Sequence, residues 1–371
     1  MKILMLNYEY PPLGGGAGNA MHYLLSELSK EKNIQVDVVT SSPDKYSVEN
    51  FSDNITVYKL DVKKKNHNYQ TFVETFFWSV KTYFFTKDLL LRKYDLCHAW
   101  FGWPSGFFGY LNRKKMPYVV SLRGSDVPGF NPRFKILDKV LFNWLSRKIW
   151  QKAGYVTANS DGLRELAHKT WKGDIKIIYN GVDTVEFFPD KKKHKEIILL
   201  CVARLIKRKG IVYLIKAMPK LLSKNKKTKL IIIGDGPEKE YLENMSIDLK
   251  IEKSVQSIGK IEHGSLAKIY QRADIFLLPS LHEGMSNTIL EAMASGLPII
   301  TTDTGGTKEL IKGNGIIVKQ ENSIEIADAV IKLFDIKKRE EFGAKSRVIA
   351  ETLSWQNMSK KYVELYKKVL R

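Results

Sequence analysis

"KILMLNYEYPPLGGGAGNAMHYLLSEL", residues 2–28, sets an apolar run of strand length, a glycine-containing loop and a helix-period stretch in a row. The same order returns in "EIILLCVARLIKRKGIVYLIKAMPKLL", residues 196–222. A buried strand that feeds a helix through a loop opens a doubly wound parallel sheet, and two openings predict two sheets. Such sheets bind ligands beyond the carboxyl ends of their strands, where the strand order reverses.

Outward from these openings the alternation continues. The first half adds "QVDVVT", "ITVYKL", "DLCHA", "YVVSL", "YVTAN" and "IKIIY"; the second adds "KLIIIG", "VQSIG", "DIFLLP", "LPIIT" and "GIIVK". Between the halves lies "NGVDTVEFFPDKKKHKE" (180–196), where an Asn-Gly turn, a proline and a basic run interrupt the apolar rhythm. Domains are therefore expected over 1–186 and 187–354. A terminal helix over 355–371 has apolar spacing at Trp355, Met358, Tyr362, Leu365 and Leu370. It could cap the second domain or pack back on the first.

With 371 residues the chain exceeds the ~250–300 at which single cores stop growing. A content of 44% hydrophobic and 27% charged residues is a globular balance. The two cysteines, Cys97 and Cys201, lie in apolar runs of different halves and form neither a disulfide framework nor a metal spacing. A cytoplasmic location is expected, with no signal peptide and no membrane span. Sixty Lys and Arg against forty Asp and Glu leave +20, a field that favours nucleotides, nucleic acid or an acidic membrane face. A solvated lysine-rich surface accounts for the same excess. No aromatic-basic RNA motif or helix-turn-helix pattern accompanies it, so no specific nucleic acid is expected.

"EGMSNTILEAMASG" (283–296) carries two glutamates eight positions apart around a helix start near Asn287 or Thr288. Two readings stand side by side. Thr288 and Glu291 fit a capping box, in which Glu291 only ties back to a backbone N–H. Alternatively, the helix start holds a diphosphate through its N–H groups and dipole, with Glu283 beside the distal sugar and Glu291 near a second sugar. Arg204 and Lys209, in "VARLIKRKG" (202–210) after a strand, would supply forked and mobile cations for that diphosphate. In the first half, Gly15 and Gly16 let backbone approach a phosphate or acceptor closely and are candidate donor-binding positions. The dinucleotide register fails, because it needs glycine where Asn19 stands.

These segments resemble the group 1 family of retaining nucleotide-sugar glycosyltransferases, whose fold is GT-B: two Rossmann-like parallel-sheet α/β domains facing a central cleft. The resemblance covers nearly the whole chain. It rests on the glycines at 14–16, "ANS" (158–160), "NGVDTVEFFP" (180–189), Arg204 with Lys209, "IIGDGPE" (232–238), "LPSLHEGMSNTILEAMASGLPII" (278–300) and "TGG" (304–306). It implies that Arg204 and Lys209 hold the donor diphosphate and that Glu283 faces the donor sugar. Gly284 and the amides of Met285, Ser286 and Asn287 would bind hydroxyls and phosphate, Glu291 the ribose, and Lys260 with Ile261 the base. No metal and no cofactor are implied; the substrate is a nucleoside-diphosphate sugar, with UDP expected ahead of GDP.

One departure concerns the acceptor side. The family often places histidine in an "HG-x-D" turn where this chain reads "RGSD", Arg123 to Asp126. Arginine cannot serve as a base. Arg123 is expected to bond sugar or phosphate, or else to be solvated beside a turn capped by Asp126. His98 and His282 are further candidate contacts.

Two stretches, 63–93 and 130–150, mix aromatic and basic residues. In the second, Phe134, Leu137, Leu141, Trp144, Leu145 and Ile149 share a helical face flanked by Arg133, Lys135, Lys139, Arg147 and Lys148. The pattern suits a helix lying on an anionic leaflet, and equally a core helix with a solvated basic side. The expected protein is a transferase that moves a hexosyl or N-acetylhexosaminyl unit to a saccharide or lipid-linked acceptor in bacterial or archaeal cell-surface polysaccharide or glycoconjugate synthesis. Its rival is a sugar-nucleotide-binding protein without transferase activity. Lys209→Ala is expected to cut turnover and leave the fold intact.

Overall fold

The computed structural model describes residues 1–64, 71–131, 135–190 and 195–371. The chain forms two compact units, Met1–Asn180 with Trp355–Arg371, and Gly181–Ser354. The division falls at the Asn-Gly turn, the first residues of the expected linker. Residues 65–70, Arg133, Phe134, most of the basic run 191–195 and the side chains of Lys135 and Lys139 lie outside the described residues.

The first unit opens with β1 (Lys2–Leu6), α1 (Gly16–Leu28), β2 (Gln35–Ser42), β3 (Ser47–Ser52), β4 (Ile55–Asp61) and α2 (Phe72–Leu89). It continues through β5 (Leu96–Trp100), α3 (Ser105–Asn112), β6 (Tyr118–Leu122), α4 (Lys135–Leu137), α5 (Asn143–Lys152), β7 (Tyr155–Ala158), α6 (Asp161–His168) and β8 (Ile175–Ile177). The strands lie in the order β3-β4-β2-β1-β5-β6-β7-β8. All pairs are parallel except β3 against β4. Helices cover both faces, so the central strands read as continuous apolar runs: every residue of β5 and β6 is buried. The strand β3, "SVENFS", was absent from the expectation because it is a polar edge with no apolar alternation.

The second unit contains β9 (Ile197–Val202), α7 (Ile211–Lys224), β10 (Thr228–Ile233), α8 (Lys239–Asp248), β11 (Val255–Gly259), α9 (His263–Arg272) and β12 (Ile275–Leu278). It is completed by α10 (Asn287–Ala294), β13 (Ile299–Thr302), α11 (Thr307–Leu310), β14 (Gly315–Val318), α12 (Ser323–Lys332) and α13 (Ile336–Glu351). Its six strands are ordered β11-β10-β9-β12-β13-β14, all parallel. The order reverses at β9/β12 here and at β1/β5 in the first unit. These are the switch points where the loops part and leave room for a ligand.

The last helix, α14 (Trp355–Val369), belongs to the first unit. Trp355 stacks on Tyr23 of α1 at 4.6 Å, and Trp355, Met358, Tyr362, Leu365 and Tyr366 are buried. Leu370, expected in the apolar stripe, is 43% exposed, and the fully buried Tyr366 takes that role.

Candidate active site

The switch point of the second unit is assembled by close backbone approaches. After β9 a single turn, Lys207–Lys209, ends at Gly210 with φ of +65°. A Cβ on Gly210 would sit 2.2 Å from the Pro279 carbonyl oxygen, so only glycine lets the two loops meet. The Leu281 N–H donates to the Arg208 carbonyl at 2.7 Å and completes the seam. The loop after β9 is thereby fastened to the loop after β12.

The seam brings the Lys209 ammonium into an ion pair with Glu283 Oε1, and Ser280 Oγ donates to the same oxygen at 3.0 Å. The two side chains keep only 12% and 14% of their exposure. Burial alone would push the Glu283 carboxyl up, but Lys209, the neighbouring Arg208 and the two hydrogen bonds hold it below the ordinary range. Glu283 is therefore a carboxylate at neutral pH. The expectation that Lys209→Ala leaves the fold untouched treated Lys209 as an exposed loop charge. Its pairing with a buried carboxylate corrects that view, since removal strands the partner's charge.

The turn that carries Glu283 is also clamped from β13. Thr302 Oγ1 donates to the Ser280 carbonyl, and the Gly305 N–H donates to the Glu283 carbonyl at 3.1 Å. A Cβ on Gly306 would stand 2.2 Å from the Gly284 carbonyl oxygen, which explains the "TGG" turn by packing. Three strand ends thus converge on the turn that carries Glu283.

The helix α10 starts at Asn287, with Ser286 as its cap: Ser286 Oγ accepts from the Ile289 N–H at 3.4 Å. Met285 and Ser286 are buried, and Gly284 and Asn287 are half-buried beside them. The capping box of Thr288 with Glu291 does not form. Glu291 Oε2 instead accepts from Tyr270 Oη of α9 at 2.8 Å, with Glu291 7% and Tyr270 0% exposed. The second glutamate is therefore held by a side-chain bond that spans two helices, and the same Tyr270 hydroxyl lies 3.4 Å from the Thr288 carbonyl in the first turn of α10.

Arg204 lies two residues beyond β9 and is half-buried. The loop after β10 braces its neighbours, with the Leu205 N–H donating to the Asp235 carbonyl at 2.9 Å and the Glu238 N–H to the Leu205 carbonyl at 3.0 Å. A Cβ on Gly234 would lie 1.8 Å from the Ala203 carbonyl oxygen, so "GDG" exists to let this loop press on the Arg204 strand end. Exposed Lys260 and half-buried Ile261 follow β11 at the sheet edge, and His282 is exposed.

In the first unit Gly15 caps α1 and Gly16 begins it. The preceding Gly14 has φ of +87°, and a Cβ there would meet that of Glu9 at 2.7 Å. The acceptor-side candidates are placed differently from the expectation. His98 is fully buried, bonded through Nε2 to Ser121 Oγ and through Nδ1 to Tyr366 Oη, both at 2.7 Å. Desolvation, with the Arg123 charge, lowers its pKa to about 3. It is a neutral core histidine with no exposed surface. Arg123, 9% exposed, is neither solvated nor turned outward: its guanidinium lies 4.3 Å over the Trp100 ring and donates to Asn180 Oδ1 at 2.8 Å. Asp126 braces the turn, with Oδ2 accepting from Gly102 N–H at 2.6 Å and Oδ1 from the Arg123 and Gly124 N–H groups.

Sequence reasoning gave no side-chain contact to Ser280, Tyr270, Asn180 or Tyr366. Only Ser280, three residues before Glu283, has a local signal. Among the described residues, no group of three His, Cys, Asp or Glu could hold a metal ion.

Residues 183–348 match the family model described as glycosyl transferases group 1, and residues 14–186 match glycosyltransferase family 4. The chain is 30% identical over 391 aligned positions to an uncharacterized glycosyltransferase of Methanocaldococcus jannaschii, covering 99% of this chain and 98% of that one. The sucrose-phosphate synthase of Thermosynechococcus elongatus superposes with a TM-score of 0.86 at 22% identity, covering 99% of this chain and 98% of the other. HepE of Anabaena, solved in complex with UDP-glucose, does so with a TM-score of 0.77 at 19% identity and 98% coverage of both chains. The two parallel-sheet units are therefore those of the GT-B fold, and the chain belongs to the group 1 glycosyltransferases.

Proposed function

We propose that the protein is a retaining, metal-independent glycosyltransferase that moves a hexosyl or N-acetylhexosaminyl unit from a nucleoside-diphosphate sugar, a UDP-sugar ahead of a GDP-sugar. The acceptor is a saccharide or lipid-linked saccharide. The enzyme works in the cytoplasm at the inner face of the cell membrane, in cell-surface polysaccharide or glycoconjugate synthesis. The observation that carries this reading is the Lys209–Glu283 pair, held where strand order reverses and just ahead of the α10 N-terminus.

A leaving diphosphate needs positive charge that is already in place, because charge reorganised during the reaction raises the barrier. Lys209 and Arg204 provide it, with the dipole of α10 behind the phosphates. Glu283, charged and oriented by Ser280, accepts hydrogen bonds from the donor sugar hydroxyls, and Glu291 accepts those of the ribose. Lys260 and Ile261 border the base, and Gly15 and Gly16 let backbone approach the donor phosphate or the acceptor. The acceptor oxygen attacks the anomeric carbon on the face from which the diphosphate leaves, and a phosphate oxygen takes its proton. The inward positions of His98 and Arg123 support a route that asks neither for proton transfer.

Thermal shifts with UDP-, GDP- and ADP-sugars identify the donor, since a ligand bound only by the folded chain at about 100 times its Kd adds ~2.7 kcal/mol. Release of nucleoside diphosphate on adding acceptor, with the anomeric configuration of the product read by NMR, tests transfer and retention. An inverted product removes the retaining mechanism. A donor-stabilised chain that releases no diphosphate with any saccharide or lipid-linked acceptor would be a binding protein.

A further inference from the structure

The helix α2 turns its apolar side outward. Val73, Phe76, Phe77, Val80, Tyr83 and Phe84 are 61%, 58%, 44%, 38%, 44% and 61% exposed. Their three- and four-residue spacing makes one continuous stripe along the helix. The inward side carries Trp78 but also the buried Glu74, Thr82 and Thr86. A surface helix in water ordinarily does the reverse, so this stripe is an exposed apolar patch of the kind that marks a docking surface.

A second apolar face follows β6 in the same unit. Ile136, Leu137, Val140, Leu141 and Trp144 are 78%, 42%, 77%, 45% and 60% exposed. The face differs from the one expected over 130–150. A π-helical turn, Asp138–Phe142, stands between α4 and α5 and changes the helical phase, which leaves Leu145 half-buried and Ile149 fully buried.

Cations border both faces. Lys87 Nζ rests 4.9 Å over the Tyr83 ring and 5.2 Å over Phe84, while Lys81, Arg92 and Lys93 are exposed around α2 and its end. Arg147 and Lys148 are exposed on α5. Asp88 is the exposed carboxylate of α2. Amphipathic cations can hold their stems along the rings and lift their heads to a phosphate layer. No helix among the described residues is long and apolar enough to cross a membrane.

We infer that α2, with the α4–α5 face as its companion, inserts its aromatic stripe into the interface of an anionic phospholipid leaflet and lies there parallel to the surface. The +20 net charge favours an anionic surface and opposes a second copy of the same chain. The first half of α2 borders the carboxyl edge of the sheet, because Trp78 packs edge-on against Tyr8, two residues past β1, at 6.1 Å. Docking therefore sets the lipid beside the edge that carries Gly15 and Gly16. The inference rests on the proposed membrane-bound acceptor for its purpose, but lipid binding is measured with no sugar nucleotide present.

The test is flotation of the full chain with vesicles of phosphatidylcholine alone and of phosphatidylcholine mixed with phosphatidylglycerol. Wild type should float with the mixed vesicles and stay behind with the neutral ones. Phe77→Ser/Phe84→Ser should weaken mixed-vesicle binding about tenfold or more, and Lys81→Glu/Lys87→Glu should do the same at low salt. Both variants should transfer sugar to a water-soluble acceptor as wild type does. Equal flotation of wild type and the serine variant overturns the inference, as does no flotation at all. A concentration-dependent dimer in sedimentation, abolished by the serine pair, overturns it in favour of a second copy. Flotation without transfer to any lipid-linked acceptor leaves docking in place and removes the acceptor reading.

Discussion

The two units open alike, with a strand, a glycine loop and a helix, yet they use the carboxyl edges of their sheets in opposite ways. In the second unit the loops after β9, β12 and β13 converge on Glu283 and fasten it to Lys209. In the first, the polar residues at the strand ends are spent inside the unit: His98 on Ser121 and Tyr366, Arg123 on Trp100 and Asn180, Asp126 on three N–H groups. Polar side chains at strand ends thus form a candidate reaction centre in one sheet and internal bracing in the other. What separates them is the partner: in the second unit a cation meets a carboxylate at the switch point, whereas in the first the titratable groups meet a ring, hydroxyls, an amide and backbone N–H groups.

The comparison breaks most visibly at Lys209. Lys209→Ala should lower kcat/KM by about 10²–10³-fold, because it removes the charge that the proposed reaction sets against the leaving group. It should also cost about 1–3 kcal/mol of stability, a range reduced from that of fully buried pairs because both side chains keep some exposure. Chemical denaturation alongside kinetics checks both, and adding Glu283→Gln should recover stability but not turnover. Full stability of the single variant would show that the pair does not restrain the seam.

Arg123→Met sharpens the other side of the contrast. It removes the stacked guanidinium and its hydrogen bond to Asn180 Oδ1, so a loss of about 2–4 kcal/mol is expected with kcat per folded molecule near wild type. A donor- or acceptor-dependent kcat collapse in a well-folded variant would return Arg123 to the reaction.

His98 sets a pH dependence. Its folded pKa, about 3, lies below the ordinary 6.5. Between these values the unfolded chain binds a proton that the folded chain refuses, so stability falls as pH falls. The slope is about 1.4 kcal/mol per pH unit, or roughly 2 kcal/mol between pH 6.5 and 5. Urea midpoints at pH 7 and pH 5 should therefore converge in His98→Gln relative to wild type.

Tyr270→Phe is a smaller perturbation. Loss of the hydroxyl that holds Glu291 should raise the donor KM several-fold, about 1 kcal/mol, with kcat nearly kept. If Glu291 is only a structural partner of Tyr270, the melting temperature will move and KM will not. Least affected should be the stability of Phe77→Ser/Phe84→Ser, within about 0.5 kcal/mol of wild type, because exposed side chains lose little on truncation.

Much of the second unit's site could be read locally. Ser286 and Asn287 announce a helix start, and the run from Pro279 to Glu283 follows an apolar strand. The destinations of side chains could not be read this way. Tyr270 reaches Glu291 across 21 positions, Arg123 reaches Asn180 across 57, and Tyr366 reaches His98 across 268. Periodicity also counted the aromatic residues of α2 without telling which side they occupy, because polar threonines take the inward face.

Apolar runs of strand length, broken by glycine and followed by helical stretches, determined by themselves that the chain folds into two parallel sheets, since backbone propensity and burial act over a few residues. The tertiary structure alone decided which charges meet, which are consumed in bracing and which rings face outward. Those outcomes depend on strand order and on contacts between distant segments, and a carboxylate, a histidine or a phenylalanine carries no local mark of the partner it will find.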